Sequence, residues 1–261
     1  MTNTNTIKIR ELDLELIAPS TEKCHIPDYG GSKIVVIGKP GTGKTTLIAS
    51  LLYAKRHIFP VGMVMSGSED SNHYYCDIFP STFVFNKYDE EQVKNFVRRQ
   101  KISKEHLNCP WAALLLDDCT DDIKIFNKSL QHALYKKGRH WKMWYILSLQ
   151  YAMDVKPVIR VNIDGCFILR EPSVKIRKTI WENYASIVPD FQLFCDIMDS
   201  VTDDYTALYI HNSTQSNKFE DCVFYYKATP VPKTFKFGCD EFWNFHNDRY
   251  NREYVEPYFG E

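Results

Sequence analysis

Short apolar runs separated by amphipathic stretches set the pattern of this chain. Ile34 to Ile37, Val61 to Met65, Thr82 to Phe85, Trp111 to Leu116, Met143 to Leu149 and Asp164 to Leu169 read as strands. The runs beginning at 111 and 143 are almost wholly apolar, as expected of strands buried on both faces of a parallel sheet. Between them, Leu47, Ile48, Leu51 and Leu52 recur at helical spacing, as do Val93, Phe96 and Val97, and then Phe126, Leu130, Ala133 and Leu134. Asp89 precedes Gln92 in capping-box spacing, Asp121 or Asp122 caps the next helix, and Gly138 stands at its C′ position. Ser173 caps a helix bearing Ile176, Ile180 and Tyr184, and Phe191, Phe194, Cys195 and Met198 mark another. Tyr205 to Ile210 and Cys222 to Tyr226 read as late strands, in parallel or antiparallel sense. Strands alternating with helices predict the α/β class: a mostly parallel sheet, helices on both faces, late strands added.

The ends are less regular. Residues 7 to 17 alternate, but the phase changes between Ile7 and Ile9 and the set Leu12, Leu14 and Leu16, which predicts an edge strand with a bulge or a short hairpin. Prolines and glycines make residues 18 to 32 a link. The chain therefore divides into an N-terminal strand and linker (1–32), a core (33–228) and an aromatic tail (229–261). The tail carries Phe235, Phe237, Phe242, Trp243, Phe245, Tyr250, Tyr254, Tyr258 and Phe259, and either covers the core or docks on a partner.

Composition narrows the classes. With 261 residues and 44% hydrophobic content, one sizeable core is affordable. No apolar run approaches the roughly 20 residues that span a bilayer, and the first residues, MTNTNTIKIRELDLEL, hold no signal-peptide core, so a soluble intracellular protein is expected, not an integral membrane one. The eight cysteines are scattered without metal-ligand spacing and read as reduced thiols. Lys and Arg total 32 against 33 Asp and Glu, which excludes a generally basic nucleic-acid binder; any basic surface must be local.

The chemistry concentrates at residues 33 to 52, KIVVIGKPGTGKTTLIASLL, a strand, a glycine-rich turn and a helix. A chance match to GxxxxGK(S/T) in a chain of this length is on the order of one in a hundred, and the strand before and helix after reduce it further. Gly38, Lys39, Pro40, Gly41, Thr42, Gly43, Lys44, Thr45 and Thr46 form a loop whose backbone N–H groups turn onto a triphosphate at a helix N-terminus. Lys44 reaches the β and γ phosphates and the Thr45 hydroxyl ligates Mg²⁺, so ATP and Mg²⁺ are the expected cofactors.

The acids follow in WAALLLDD. A buried strand there delivers Asp117 to the Mg²⁺ shell, which it is expected to reach through water, and Asp118 to the attacking water, which it orients or deprotonates. Gln150, ending the next strand, lies beside the γ-phosphate, where it senses that group and holds the water. Arg139, just before the same strand, lies at the opposite, amino edge of the sheet and can serve only a neighbouring subunit's phosphate, as an arginine finger in trans; otherwise it is a surface arginine. Glu69, in the polar loop after Val61 to Met65, is either a further site acid or a solvated loop acid.

The order GKPGTGKT, SGSE with Asn72, LLLDDC, GRH, SLQ and RVNID resembles the DNA-packaging ATPases of nucleocytoplasmic large DNA viruses, the poxvirus-type branch of the FtsK/HerA superfamily, over about residues 30 to 170. The resemblance implies a P-loop NTPase of RecA-like (ASCE) fold, with an inserted catalytic-acid strand between the P-loop strand and its neighbour. It implies a homo-oligomeric ring, a hexamer or pentamer, around double-stranded DNA, using ATP to drive viral genome into the capsid. A capsid or inner-membrane component would be its partner, and the host cytoplasm, in the virus factory, and the virion its locations. Carried over by residue, Lys44 and Thr45 hold phosphate and Mg²⁺, Asp117 is the Walker B acid, Gln150 the sensor and Arg139 the arginine before that strand; Asp118 stands where most members carry the longer Glu. Lys136, Lys137 and Lys142, with Lys175, Arg177 and Lys178, are candidate DNA-facing positions. Two other readings fit a P-loop: a nucleoside or nucleotide kinase, which would need an acceptor pocket and an arginine-bearing lid, and an ATP-gated assembly protein that binds without turnover.

Overall fold

The computed structural model describes residues 9–119, 122–251 and 253. Among these residues nine strands form one sheet: β1 (Arg10–Glu11), β2 (Ser32–Ile37), β3 (Val61–Ser66), β4 (Val84–Phe85), β5 (Ala112–Asp117), β6 (Met143–Leu149), β7 (Gly165–Ile168), β8 (Thr206–His211) and β9 (Val223–Lys227). Across the sheet their order is β1, β9, β8, β7, β2, β6, β5, β3, β4. The six from β7 to β4 are mutually parallel, while β8 pairs antiparallel with both β7 and β9. The helices are α1 (Lys44–Ala54), α2 (Glu69–Asn72), α3 (Glu90–His106), α4 (Ser129–Lys137), α5 (Pro157–Arg160), α6 (Val174–Tyr184), α7 (Phe191–Val201) and α8 (Asp240–Asn247). Among the described residues, no helix is long and apolar enough to cross a membrane.

Alternation along the central strands fills two cores, one on each face of the sheet. Val35, Ile37, Leu114, Leu116, Tyr145 and Leu147 point to the face covered by Phe96 of α3, Leu134 of α4, Ile180 of α6 and Phe194 of α7. Ile34, Val36, Ala113, Leu115, Trp144 and Ile146 point to the other, covered by Leu47 and Leu51 of α1 and Phe242 of α8. Phe235, Phe237 and Phe242 of the tail belong to this second core, whereas Phe245 and Tyr250 are exposed. Phe237 is fully buried, 4.6 Å centroid to centroid from Phe79, and its N–H donates to Ile78 O at 2.9 Å; burying one such ring contributes about 1.5–3 kcal/mol.

Several local expectations change. Among the described residues, the N-terminal segment forms neither a bulged strand nor a hairpin: two residues pair parallel with β9, and a 3₁₀ turn over Leu14–Leu16 follows. Asp122 caps a 3₁₀ turn, Ile123–Asn127, because Lys128 is extended (ψ 147°) and breaks the expected continuous helix before α4. Gly138 has φ −55°, so it is not a left-handed C′ residue; Lys142, at φ 53°, makes that turn. Ile7, Asp121, Tyr254, Tyr258 and Phe259 lie outside the described residues.

The order of the central strands corrects another expectation. The acid-bearing β5 is not adjacent to the P-loop strand β2; β6, which ends before Gln150, lies between them. Their register explains how acid and amide meet. Leu116 pairs with Leu147 and Ile37 with Leu149, so the loop after β2, Asp118 and Gln150 leave the carboxyl edge at nearly one level.

Candidate functional site

A cleft of about 700 Å³ opens at that edge, lined by Pro40 to Thr46, Ser68, Asp117, Asp118, Gln150, Leu169, Arg170 and Thr202 to Thr206. The phosphate-binding loop begins where β2 stops. Gly38 N donates to Leu149 O (3.1 Å), the Thr42 hydroxyl donates to Lys39 O (2.7 Å), and Gly43 is the left-handed N-cap of α1 at φ 96°, a conformation that side chains with a β-carbon disfavour. Lys44 is 8% exposed and donates to Gly38 O at 2.8 Å. Burial lowers its pKa, and the carboxylates of Asp118 and Asp117 oppose that shift. Lys39 turns from the cleft to pair with the buried carboxylate of Glu171 at 2.7 Å, tying the loop to the segment after β7.

Asp117 is 3% exposed, and its Oδ2 accepts a hydrogen bond from the Tyr75 hydroxyl at 2.7 Å. Burial first, then the Asp117 charge, pushes the Tyr75 phenol well above its ordinary range, so it remains a donor. Glu69 sets the position of Tyr75. It is 4% exposed, and its two carboxylate oxygens accept from Tyr75 N (3.0 Å) and Cys76 N (2.9 Å). Glu69 is thus neither a site acid nor a solvated one; it holds the loop that holds the acid. Tyr75 escapes sequence reasoning because its partner is 42 residues away. Tyr75→Phe is expected to leave a buried carboxylate oxygen without its donor, destabilising the fold by about 1–3 kcal/mol and weakening metal affinity roughly tenfold. Urea unfolding and a Mg²⁺ titration of nucleotide binding measure both.

Asp118 adopts φ 54°, a left-handed conformation that aspartate tolerates better than most residues but still at a cost of about 1 kcal/mol. A β-carbon on Gly67 would stand 2.3 Å from Asp118 O, so only glycine lets this turn pass. Gln150 Nε2 donates to Asp118 Oδ1. Thr45 and Asp117 supply a hydroxyl and a carboxylate, hard oxygen donors of the kind Mg²⁺ takes together with substrate phosphates and water.

Arg170 and Tyr205 line the cleft and were not singled out. The carboxyl-edge argument that selects Gln150 after β6 also selects Arg170 after β7; the exposed Arg170 guanidinium meets Asp203 at 3.3 Å. Arg139 is remote. It lies in a 3₁₀ turn, Gly138–Trp141, at the amino end of β6, exposed, with its carbonyl accepting from Gly31 N at 2.9 Å. The seven residues of β6 separate it from Gln150 by about 23 Å. Of the candidate DNA-facing residues, Lys136, Lys137, Lys175 and Lys178 are exposed. Lys142 and Arg177 are not available: buried Lys142 donates to Ile26 O (3.0 Å) and Pro27 O (2.7 Å), and Arg177 pairs with Asp199 at 2.5 Å.

The chain is similar to known proteins along most of its length. It is 53% identical over 240 residues to the uncharacterized protein 088R of Invertebrate iridescent virus 3, covering 91% of this chain and 92% of the relative. It is 51% identical over 257 residues to the uncharacterized protein 075L of Invertebrate iridescent virus 6, covering 97% and 99%. No protein-family profile matches. Among solved structures, the genome packaging NTPase B204 of Sulfolobus turreted icosahedral virus 2, in complex with ATP-gammaS, superposes with a TM-score of 0.52 at 15% identity, over 78% of this chain and 99% of that one. At that identity the likeness is one of fold.

Proposed function

The chain belongs to one family with 088R and 075L of the invertebrate iridescent viruses, with a P-loop ATPase fold of the FtsK/HerA type, and from that premise we propose that it is the ATP-driven motor that moves double-stranded viral DNA into the capsid. The observation that carries the reading is the meeting of Lys44, Thr45, Asp117, Asp118 and Gln150 in one cleft while Arg139 stands exposed on the opposite edge. The loop amides and Lys44 bind the β and γ phosphates of ATP, and Thr45 and Asp117 would hold Mg²⁺, which would supply neutralisation of phosphate charge. Asp118 takes the proton of the attacking water, and Gln150, already bonded to Asp118, orients that water toward phosphorus. A ring of copies brings Arg139 of one subunit to the phosphate of the next, where its guanidinium offsets charge developing in the transition state. Exposed lysines such as Lys136 and Lys137 grip duplex phosphates without reading sequence. The host cytoplasm is the place of this work.

A kinase is disfavoured by Gln150, whose amide is bound to the candidate base and suits a water rather than an acceptor hydroxyl. The deciding experiment is ATP turnover with and without long duplex DNA, with Lys44→Ala as the inactive control. Turnover is expected to rise several-fold with duplex and to lose that rise at high salt. A rate indifferent to duplex but raised by a nucleoside acceptor would end the motor reading.

A further inference from the structure

Two ends of the cleft differ in chemistry. Asp118 and Gln150 mark the γ-phosphate end, and α1 presents its N-terminus to the phosphate chain between. The opposite wall is the turn Thr202 to Thr206, and from it Tyr205 faces the loop: a β-carbon on Gly43 would stand 3.4 Å from Tyr205 Cδ1 and 3.8 Å from Cε1. Tyr205 is 61% exposed, and among the described residues no aromatic ring or cation stacks on it.

The backbone under that ring is built to present it. Asp204 and Tyr205 are consecutive non-glycine residues in the left-handed region, at φ 45° and 58°, where L-residues are strained and stay only if their surroundings hold them. Here Thr206 N donates to Asp203 O (2.9 Å), Ala228 N donates to Tyr205 O (3.0 Å), and Asp204 pairs with Lys227 at 2.6 Å. The strained turn thus projects a flat apolar face, backed by β8 and β9, into the mouth of a polar cleft.

The geometry points to Tyr205 as the platform on which the base of a bound nucleoside triphosphate stacks. The inference rests on the cleft being the nucleotide site. With the γ-phosphate fixed beside Asp118 and the chain running over α1 past Thr46, the nucleoside leaves the loop on the Tyr205 side. An aromatic face reads stacking area rather than the hydrogen-bonding edge of a base. The site therefore takes purine nucleoside triphosphates with little distinction between adenine and guanine, and pyrimidines less well.

The test compares wild type, Tyr205→Phe and Tyr205→Ala by calorimetric titration with ATP, GTP, UTP and inorganic tripolyphosphate, each with Mg²⁺. Wild type is expected to bind ATP and GTP within a few-fold of each other and UTP more weakly. Tyr205→Ala is expected to weaken ATP and GTP about tenfold, raise KM with kcat little changed, and leave tripolyphosphate unaffected; Tyr205→Phe keeps wild-type affinity. Equal loss for tripolyphosphate would show that the ring only supports the loop. Unchanged ATP affinity in Tyr205→Ala would overturn the inference, including the case where assembly alone suffers. Tyr205-dependent ATP binding in a protein whose turnover ignores duplex DNA would keep this inference and remove the packaging reading.

Discussion

Asp118→Asn is expected to bind ATP with unchanged affinity and hydrolyse it about 10²–10⁴-fold more slowly, the range for losing a general base. Asparagine keeps the length and polarity of the side chain and can still hydrogen-bond to the Gln150 amide, so the water-positioning pair survives while its proton acceptor is lost. Asparagine is also at home in the left-handed conformation that residue 118 adopts, so the melting temperature should not fall. Single-turnover hydrolysis beside an equilibrium titration separates the two steps. Turnover within a few-fold of wild type would remove Asp118 from the chemistry and leave it as the turn that seats Gln150.

Arg139→Ala is expected to lose about 10³–10⁵ in turnover, the scale of an arginine finger, without losing ATP affinity. The size of the effect follows from charge placed at the transition state alone; its position, a strand's length from Gln150, requires that the charge come from another copy. Subunits of Arg139→Ala keep an intact cleft, and subunits of Asp118→Asn keep an intact Arg139. Mixed in one assembly, they form interfaces that are wild-type on both sides, so two inactive preparations should regain part of the activity. Normal turnover by Arg139→Ala, or no recovery on mixing, would return Arg139 to the surface.

The residues behind both expectations were readable because each belongs to a short local pattern. The phosphate loop is contiguous, its glycines and Lys44 doing in nine residues what the backbone requires. Asp117 and Gln150 each end an apolar run, and a run buried on both faces has its next polar residue at an edge. Tyr75, Glu69, Lys142 and Arg177 gave no such sign. Two looked like surface cations and one like a loop acid, yet each is spent on a partner that folding supplies: Glu69 on the amides of Tyr75 and Cys76, Lys142 on the carbonyls of Ile26 and Pro27, and Arg177 on Asp199. Charge in a sequence reads as solvated by default, because burial depends on what packs over it.

The sequence by itself determined the α/β class, the strands that carry the site and the chemistry of the phosphate loop, since periodicity and turn glycines act over a few residues. The tertiary structure decided that β6 lies between the P-loop strand and the acid strand, that Tyr75 holds Asp117, that Tyr205 faces Gly43, and that Lys142 and Arg177 are buried among partners. Those are relations between segments far apart in the chain, and they follow from strand order and register, which are set by the packing of whole faces.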